Sequence, residues 1–282
     1  DAQLRNLQTD TIDFYLVHSL NAKYWSKLVR CGLFDFLHKA KEKGKVRHVG
    51  FSFHDSYELF VEIVDSFPWE FCQIQYNYLD ERFQAGTKGL KYAHSKGLGI
   101  AVMEPLKGGT LVNNLIPEAK ALIDQAPHPI HPAELGLRWV WSHPEVAVVL
   151  SGMNEMSQVI DNIRFSEESE RPLSAEEREL IAQIQRIYRR QSLVNCTGCK
   201  YCMPCPNDVD IPQCFASYNR ALTHDTAEEE HNYEKMSSAG NCLECGTCET
   251  RCPQNIKIIE NLKKVRDLYQ TADCGERMSS DG

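Results

Sequence analysis

The sequence is short of long apolar runs, of basic blocks and, over its first two thirds, of cysteine. No stretch approaches the roughly 18 to 20 consecutive apolar residues that cross a bilayer, which argues against a membrane-spanning helix. The 31 Lys and Arg residues are outnumbered by 39 Asp and Glu residues, so the formal net charge is −8. With that balance and no run of Lys or Arg, neither nucleic acid nor an anionic membrane surface is an expected partner.

Cysteine is abundant only near the end of the chain. Of the 12 cysteines, Cys31 and Cys72 alone precede residue 195, and the rest follow it. The tight spacing of the later cysteines is typical of metal ligands rather than of a disulfide scaffold. It favours a reducing compartment, which we expect to be the cytoplasm. This uneven distribution predicts two domains.

The chain from Thr11 to about Phe165 alternates short strand-like runs with helical patterns. The runs rich in β-branched and aromatic residues are Thr11–His18, Val46–Phe53, Phe71–Leu79, Gly97–Pro105 and Val146–Ser151. Segments with apolar residues three and four positions apart lie at roughly 28–43, 55–66, 85–96, 132–143 and 156–165. Ser174-Ala-Glu-Glu177 matches a capping box and predicts a further helix to about Arg190. Repeated βα units predict a parallel sheet, either an open doubly wound sheet or a (β/α)8 barrel.

Polar side chains on one face of the predicted strands favour the barrel. Gln73, Gln75 and Asn77 share one face at the two-residue period of a strand, and the residues between them face the other way. A site at the carboxyl ends of barrel strands needs such a face, whereas a sheet covered on both sides reads as near-continuous apolar runs. Because eight strands close a barrel and five are predicted, we expect about three βα units upstream of Asp1.

Two cysteine groups have the spacing of iron–sulfur ligands. They are Cys196-x2-Cys199-x2-Cys202-x2-Cys205-Pro206 and Cys242-x2-Cys245-x2-Cys248-x3-Cys252-Pro253. The second reproduces the bacterial ferredoxin run, in which three cysteines hold one [4Fe–4S] cluster and the fourth ligates the other cluster. Zinc is an alternative because it also uses Cys-x2-Cys pairs, although a zinc site normally takes one pair from each of two turns. Disulfides are the remaining alternative.

Crossed ligation assigns the eight cysteines to two clusters. One cluster would take Cys196, Cys199 and Cys202 with Cys252, and the other would take Cys242, Cys245 and Cys248 with Cys205. The first group is one residue short before its Cys-Pro pair, so Cys214 is an alternative to Cys205. The insert at 207–241, whose acidic run Glu228–Glu230 is expected to be a solvated helical surface, predicts a mainly α-helical module. Cys31, Cys72 and Cys274 are predicted to be lone buried or incidental thiols.

The order of several strand-end motifs resembles that of a known family. The motifs are Thr11-Ile-Asp-Phe-Tyr-Leu-Val-His18, Val49-Gly-Phe-Ser-Phe-His54, Gln73-Ile-Gln-Tyr-Asn-Tyr78, Met103-Glu-Pro-Leu-Lys-Gly-Gly109 and Leu150-Ser-Gly-Met153. They resemble strands four to eight of the aldo/keto reductase family, and the whole chain resembles the subgroup with a C-terminal 4Fe–4S dicluster domain. The resemblance implies an α/β fold with a partial (β/α)8 TIM barrel over 1–170. A closing or connecting helix would span 171–195, and a mainly α-helical dicluster domain 196–282.

The resemblance also implies a catalytic group, of which this sequence holds one member. The family reduces a carbonyl with hydride from a nicotinamide cofactor and uses an Asp, a Tyr, a Lys and a His, with the Tyr as general acid. His18 matches the His, which would orient the substrate carbonyl; the alternative is a core histidine bonded to backbone. The other three would lie in the upstream units, so we expect this chain alone not to transfer hydride.

The nicotinamide cofactor is placed by the resemblance along the strand ends. Ser52 and Gln75 match residues that hydrogen-bond the nicotinamide carboxamide, and His54 lies beside them; Gln75 and His54 could instead merely fill the barrel. Glu104-Pro-Leu-Lys-Gly-Gly109 resembles the segment that wraps the pyrophosphate, although a Gly-Gly pair is also simply a turn. The matched cofactor positions are Ser52, His54, Gln75, Met103, Pro105, Leu106, Gly108, Ser151, Asp161 and Asn162.

Two departures from the family pattern bear on the cofactor. Met103 stands where the family often has an aromatic ring against the nicotinamide, so a thioether contact is expected there. The last strand lacks the basic residues that commonly hold an adenosine 2′-phosphate. Both NAD and NADP are therefore candidates.

Three functions are compatible with the sequence. The first is an oxidoreductase of the aldo/keto reductase type that links NAD(P)H-dependent reduction of a small carbonyl-type substrate to two [4Fe–4S] clusters. Clusters pass single electrons and nicotinamide passes hydride, so direct coupling would need an intermediary, and no flavin motif is identifiable. The second is an electron-transfer or redox-responsive protein with a non-catalytic barrel that serves a redox partner protein. The third gives the clusters a structural role through metal-coupled folding.

Overall fold

The computed structural model describes residues 1–167, 170–190, 194–222 and 236–279, with side chains except at 190, 220 and 271–279. The acidic run Glu228–Glu230 and the side chain of Cys274 lie outside the described residues. The chain divides into two compact units. The first unit is Asp1–Leu106 with Ala133–Leu173, and the second unit is Lys107–Pro132 with Ser174–Gly282. This division differs from the predicted boundary near residue 170 because segment 107–132 groups with the second unit.

The first unit contains a five-stranded parallel sheet and its crossover helices. Its strands are β1 (Ile12–Leu20), β2 (Val46–Phe53), β3 (Phe71–Gln75), β4 (Gly99–Met103) and β5 (Val148–Val149). Its helices are α1 (Ala2–Leu7), α2 (Ala22–Arg30), α3 (Leu33–Glu42), α4 (Tyr57–Ser66), α5 (Gly86–Ser95), α8 (Pro132–Trp141) and α9 (Met156–Glu167). The strands pair in chain order, which is the order of a partial (β/α)8 barrel and confirms the predicted α/β fold.

The two faces of the sheet differ as the two-residue period predicts. On one face, Phe51 and Phe53 of β2 pack against Phe60 of α4, with ring centroids 5.8 and 5.1 Å apart. Cys72 and Ile74 of β3 are fully buried, as expected for the side under the crossover helices. The polar residues of β2 and β3 therefore face the opposite side, where the predicted site lies.

The predicted helix over 28–43 is two helices, and the first begins earlier than predicted. α2 starts after Asn21, whose side chain caps it by accepting a hydrogen bond from the Tyr24 amide at 3.0 Å. α3 starts after Gly32, which adopts a φ of 80° that a side chain would disfavour. The break thus falls where the chain takes a left-handed conformation.

Strand β3 is shorter than predicted. The sequence pattern continues to Leu79, but the strand ends at Gln75. Asn77 Oδ1 accepts hydrogen bonds from the amides of Leu79 and Asp80 at 3.0 and 3.1 Å, which turns the backbone out of the sheet. Residues within β3 alternate between the two faces of the sheet as predicted, but Asn77 lies in a turn after the strand.

In the part of the second unit that the structure describes, the regular elements are helical. They are α6 (Thr110–Asn113), α7 (Pro117–Asp124), α10 (Ala175–Arg190), α11 (Ile211–Ala221), α12 (Ile258–Ser279) and the 3₁₀ turns Lys107–Gly109, Ser237–Asn241 and Glu249–Arg251. The capping box is confirmed: the Ser174 amide donates to Glu177 Oε2 at 2.7 Å, and the Glu177 amide donates to Ser174 Oγ at 3.1 Å. A core that includes Phe215 and Leu262 packs α11 on α12. None of the described helices has the length and apolar character to cross a membrane.

Candidate functional site

β1 and β2 are joined by a hydrogen bond to Ser52 from the residue that follows His18. The register of β1 against β2 shifts between Val17 and Leu20. Within this stretch Ser19 adopts a φ of 58°, and its amide donates a 2.6 Å hydrogen bond to Ser52 Oγ. His18 has an exposed side chain. Exposure at a strand end suits a residue that contacts a substrate better than it suits a core histidine.

A buried carboxylate holds Gln75, the residue matched to the nicotinamide carboxamide. Gln75 Nε2 and Asn77 Nδ2 both donate to Asp80 Oδ2, each at 2.9 Å. Asn77 Nδ2 also donates to the Glu104 backbone oxygen at 3.2 Å, which ties the end of β3 to the end of β4. Asp80 is 5% exposed, so the network is shielded from water. The bond to Asp80 uses one of the two amide protons of Gln75 and holds its side chain in a defined orientation.

β4 and β5 continue the same edge. Met103 is the register partner of Gln75. Ser151 follows β5, and its hydroxyl accepts a 2.8 Å hydrogen bond from Asn162 Nδ2 of α9. Asp161 lies 3.0 Å from the guanidinium of the arginine three residues later on the same helix. Parallel strands end at one edge, so the predicted residues on or just after the strands share that edge, whereas Asp161 and Asn162 lie on α9.

The segment after β4 is packed rather than free. Pro105 is buried and Leu106 partly buried. A Cβ added to Gly136 of α8 would lie 2.7 Å from Leu106 Cδ2, so glycine is needed for α8 to approach this segment. Gly108 belongs to the second unit, where it is exposed with a φ of 61°.

His54 is a buried neutral imidazole next to this edge. Burial lowers its pKa from 6.5 to about 4; a hydrogen bond with Gln84 opposes that shift, and charge on His18 adds to it. The last effect requires the two histidines to be within electrostatic range. His54 therefore stays uncharged near pH 7 and can serve the site as a neutral hydrogen-bonding group.

His54 predicts an acid-sensitive first unit. The unfolded chain binds the proton near pH 6.5 and the folded chain only near pH 4. Stability from the neutral imidazole is therefore complete above pH 6.5 and is lost as the pH falls toward 4. Between pH 7 and pH 5 we expect the free energy of unfolding of wild type to fall by about 2 kcal/mol more than that of His54→Gln, because glutamine does not titrate in this range.

The measurement for His54 is urea unfolding followed by tryptophan fluorescence. All four tryptophans, Trp25, Trp69, Trp139 and Trp141, lie in the first unit and report on it. Equal pH dependence in the two proteins would contradict the assignment of the shift to His54.

The first cavity of the second unit collects cysteines from both sequence groups. It measures about 320 Å³, counting the space at its mouth, and its walls include Cys196, Cys199, Cys202 and Cys252. Phe215 and several isoleucines supply apolar walls. This is the combination of cysteines that crossed ligation predicts.

The second cavity holds the complementary set. It measures about 370 Å³ on the same basis, and Cys205, Cys242, Cys245 and Cys248 line it. Cys202 also reaches this cavity, so it forms part of the wall between the two. The side chains of Cys199 and Cys245 are exposed, which places one edge of each cavity near solvent.

Electrostatics group Cys202 with the first set. Burial, followed by negative charge on Cys196, Cys199 and Cys252, raises the pKa of Cys202 to about 12. Burial likewise raises the pKa of Cys252, and charge on Cys199 contributes. Such thiols remain protonated at neutral pH unless a metal supplies positive charge.

Cys214, the alternative to Cys205, is not among the described residues that line either cavity. It is fully buried, and its Sγ lies 3.3 Å from Ser238 Oγ. Burial also raises the pKa of Cys214. These contacts support Cys205 as the ligand and Cys214 as a core residue.

The donors and the shape of the cavities fit [4Fe–4S] clusters. Within the described ranges, no three His, Cys, Asp or Glu side chains converge closely enough to hold a single metal ion. The cysteines are instead spread around cavity walls, as four ligands of a four-iron cluster would be. Thr197 lines the first cavity, and its buried hydroxyl has no hydrogen-bond partner among the described residues. A cluster there would offer that hydroxyl a sulfur acceptor.

Comparison with known families defines both parts of the chain. The model described as aldo/keto reductase family matches residues 1–186, and the model described as 4Fe-4S dicluster domain matches residues 195–256. The chain belongs to the aldo/keto reductase family. It also carries a 4Fe–4S dicluster domain.

Solved structures agree with this assignment. The holo form of an aldo-keto reductase from Bacillus halodurans is 26% identical with a TM-score of 0.53, over 65% of this chain and 64% of that chain. An aldo-keto reductase from Klebsiella pneumoniae in complex with NADPH is 24% identical with a TM-score of 0.50, over 66% of this chain and 61% of that chain. The chain thus spans just under two thirds of the reductases it matches.

A curated protein resembles a smaller part of the chain. The probable glycolate oxidase iron-sulfur subunit of Bacillus subtilis (strain 168) is 27% identical over 111 residues, which is 34% of this chain and 24% of that protein.

Proposed function

We propose that this chain supplies the nicotinamide-binding and carbonyl-orienting part of an NAD(P)H-linked carbonyl reductase that is joined to two [4Fe–4S] clusters. The observation that carries the proposal is the distribution of eight cysteines, in the crossed combination, over two cavities of a chain whose barrel belongs to the aldo/keto reductase family. The substrate is a small carbonyl compound, and the reduced cysteines that cluster assembly needs favour a reducing compartment, which we expect to be the cytoplasm.

The first-unit residues have separate roles in this proposal. When bound, NAD(P)H would supply the hydride that, with one proton, turns the carbonyl into an alcohol and leaves NAD(P)+. Ser52 and Gln75 would hydrogen-bond the nicotinamide carboxamide, and the buried Asp80 holds the Gln75 side chain in place. His18 orients the substrate carbonyl from the end of β1. The resemblance assigns further cofactor contacts to His54, Met103, Pro105, Leu106, Ser151, Asp161 and Asn162 of the first unit and to Gly108 of the second unit.

Turnover by this chain alone is not part of the proposal. The family's Tyr donates the proton, and no residue of this sequence matches it, its Asp or its Lys. We therefore expect nucleotide binding without measurable carbonyl reduction. A form that also carries those residues should reduce carbonyls, and Cys→Ser substitution of cluster ligands should slow it if the clusters take part in the reaction.

Nucleotide binding tests the reductase part directly. With the cluster-loaded chain held anaerobically, titration with NADH and with NADPH should change cofactor fluorescence, and the two titrations together determine which nucleotide is preferred. Gln75→Leu should weaken binding about tenfold, the loss expected for one hydrogen bond of about 1.4 kcal/mol.

Gln73→Leu is the matched control for Gln75→Leu. Gln73 is two residues earlier on the same face of β3, and its Nε2 lies 3.2 Å from Met103 Sδ. The control should bind nucleotide within about twofold of wild type, because no carboxamide contact is assigned to Gln73. Absence of nucleotide binding, or equal losses in both variants, would contradict the proposed cofactor site.

Electron transfer without carbonyl chemistry is the second candidate. The observation in its favour is the similarity to a protein described as an iron-sulfur subunit of a probable glycolate oxidase. Exposed Cys199 and Cys245 bring the edge of each cavity near solvent, which shortens the path to a redox partner protein. This candidate predicts reversible cluster reduction with no nucleotide binding, whereas purely structural clusters would show neither.

A further inference from the structure

Thr197 places a buried hydroxyl in the wall of the first cavity. The residue is 7% exposed, and its Oγ1 has no hydrogen-bond partner among the described residues. Buried hydroxyls are almost always hydrogen-bonded in folded proteins, so an acceptor is expected inside the cavity that Thr197 lines. The side chains of Ile211, Phe215 and Ile258 are apolar parts of the same wall and offer no acceptor. A group bound in the cavity is then the natural source of one.

Two contacts within the second unit hold the backbone that carries this hydroxyl. The Val194 amide donates to Asn219 Oδ1, and Asn219 Nδ2 donates to the Val194 carbonyl oxygen, both at 2.8 Å. A Cβ added to Gly108 would overlap the Thr197 carbonyl oxygen, so the turn that contains Gly108 lies directly against the Thr197 backbone. The segment cannot turn Thr197 away from the cavity without breaking these contacts.

The cysteines on both sides of Thr197 are assigned to one cluster. Cys196 precedes Thr197 directly, Cys199 follows two residues later, and both line the first cavity. A [4Fe–4S] cluster held there would present its sulfides and the cysteine sulfurs as hydrogen-bond acceptors. The buried hydroxyl and these acceptors would then share one cavity.

The second cavity has a threonine that differs from Thr197 in burial. Thr247 lines this cavity, and its Oγ1 lies 3.6 Å from Cys245 Sγ. Thr247 is exposed, so water can satisfy its hydroxyl when no sulfur does. A hydrogen bond that replaces one to water contributes little net free energy, whereas a buried hydroxyl has no such replacement. Thr247 is therefore a matched reference for Thr197.

We propose that the Thr197 hydroxyl donates a hydrogen bond to a sulfur of the first cluster and thereby raises the reduction potential of that cluster. The inference rests on the proposed function, which assigns a [4Fe–4S] cluster to the first cavity. Reduction adds one electron and increases the negative charge on the sulfurs, so a donor stabilises the reduced form more than the oxidised form. Burial strengthens the effect, because the surroundings screen charge less than water does. Thr197 then biases an electron that enters the domain toward the first cluster.

The experiment is a redox titration of the full chain, reconstituted anaerobically with iron and sulfide, reduced stepwise with dithionite and followed by EPR. Wild type should show two one-electron steps, one for each cluster. Thr197→Val keeps the branched shape of the side chain and removes the donor. At a fixed potential it should lower the ratio of reduced to oxidised first cluster about tenfold, which is a midpoint about 59 mV lower for one electron. Cys252→Ser identifies the step, because a chain without a ligand of the first cluster should lack it.

The control variants separate the hydrogen bond from packing. Thr197→Ser retains the hydroxyl and should keep the ratio within about twofold of wild type, and so should Thr247→Val, whose lost hydroxyl is exposed. If Thr197→Val does not assemble the first cluster, Thr197→Ala takes its place, because alanine also lacks the donor and needs less space than threonine.

The outcomes distinguish this inference from the function beneath it. A chain that binds no iron–sulfur cluster would overturn both. If wild type shows the two steps and the step of the first cluster does not move in Thr197→Val or Thr197→Ala, the inference alone is wrong. Equal shifts in Thr197→Val and Thr197→Ser would also overturn it, since serine retains the donor. An equal shift in Thr247→Val would show that burial does not give Thr197 its proposed role.

Discussion

Replacing Cys252 with serine is expected to remove about half of the bound iron and to free cysteines that lie more than forty residues earlier in the chain. Cys252 belongs to the second sequence group but lines the first cavity with Cys196, Cys199 and Cys202. Removing one thiolate should release the roughly four irons of that cluster and leave the other cluster in place.

Alkylation under anaerobic conditions measures which cluster is lost. After iron and sulfide quantification, Cys252→Ser is treated with iodoacetamide and mapped by mass spectrometry. Cys196, Cys199 and Cys202 should react, and Cys242, Cys245 and Cys248 should stay protected. Uncrossed ligation predicts the reverse pattern, so that result would show the assignment of clusters to be wrong.

Two further substitutions complete this test. Cys205→Ser should release the second cluster and expose the second group instead. Cys214→Ser should leave both clusters intact. Cys214 is buried against Ser238, and it is not one of the described residues that line the two cavities. Loss of the second cluster in Cys214→Ser, with Cys205→Ser unaffected, would transfer the ligand role to Cys214.

Gly50→Ala is expected to destabilise the first unit by about 2 to 3 kcal/mol or to prevent its folding. Gly50 of β2 pairs with Phe71 of β3, and an added Cβ would lie 2.5 Å from the Phe71 carbonyl oxygen and 2.6 Å from its ring. The ring cannot move away alone, because the backbone oxygen is equally close. The methyl group must therefore separate two strands in the middle of the sheet.

Gly99→Ala is the matched control for this prediction. Gly99 of β4 pairs with the same Phe71 from the other side, but its added Cβ would lie 3.7 Å from Phe71 Cβ, an ordinary contact. The urea midpoint of tryptophan fluorescence should fall clearly for Gly50→Ala and stay level or rise for Gly99→Ala, since alanine costs less backbone entropy than glycine. Equal midpoints for the two variants would contradict the packing of Phe71 over Gly50.

The sheet could be predicted from sequence because its signals are local and repeated. Each strand-like run is followed by a helical pattern, and sequential βα units place their strands side by side. The polar and apolar faces followed from the two-residue period alone. Secondary-structure ends were less predictable where side chains set them: Asn77 ends β3 by accepting two backbone amides, and Gly32 divides a continuous helical pattern by a left-handed turn.

Helix α7 was missed although a signal for it exists. Pro117 occupies its first turn, where the fixed φ and missing amide of proline are tolerated. The segment lies between β4 and α8 in sequence, and the sequence analysis assigns it no element. Its grouping with the cysteine-bearing unit depends on contacts between residues far apart in the chain, which no local pattern contains.

In the candidate site, too, features with a local sequence signal were predictable and contacts between distant residues were not. Cysteine spacing sufficed to predict the two sets that line the two cavities, because spacing in a tight loop largely determines where the thiols point. Asp80, which holds Gln75, was missed because an aspartate three residues after Asn77 reads as a turn residue. Thr197 was missed for a stronger reason: its contact with Gly108 spans 89 residues of sequence, from 108 to 197.

Gly108 is subject to a structural constraint that the sequence does not reveal. The resemblance treats it as a glycine that lets the backbone approach a pyrophosphate. The structure adds a second requirement, because a side chain at Gly108 would overlap Thr197.

The most direct test of the account is the metal content of the purified chain. Iron, acid-labile sulfide and zinc are quantified anaerobically, and an EPR spectrum is recorded after dithionite reduction. Two [4Fe–4S] clusters require about eight irons and eight sulfides per chain, and we expect these amounts together with a reduced-cluster signal. Stoichiometric zinc without sulfide would contradict it and leave a structural metal domain attached to a reductase-type barrel.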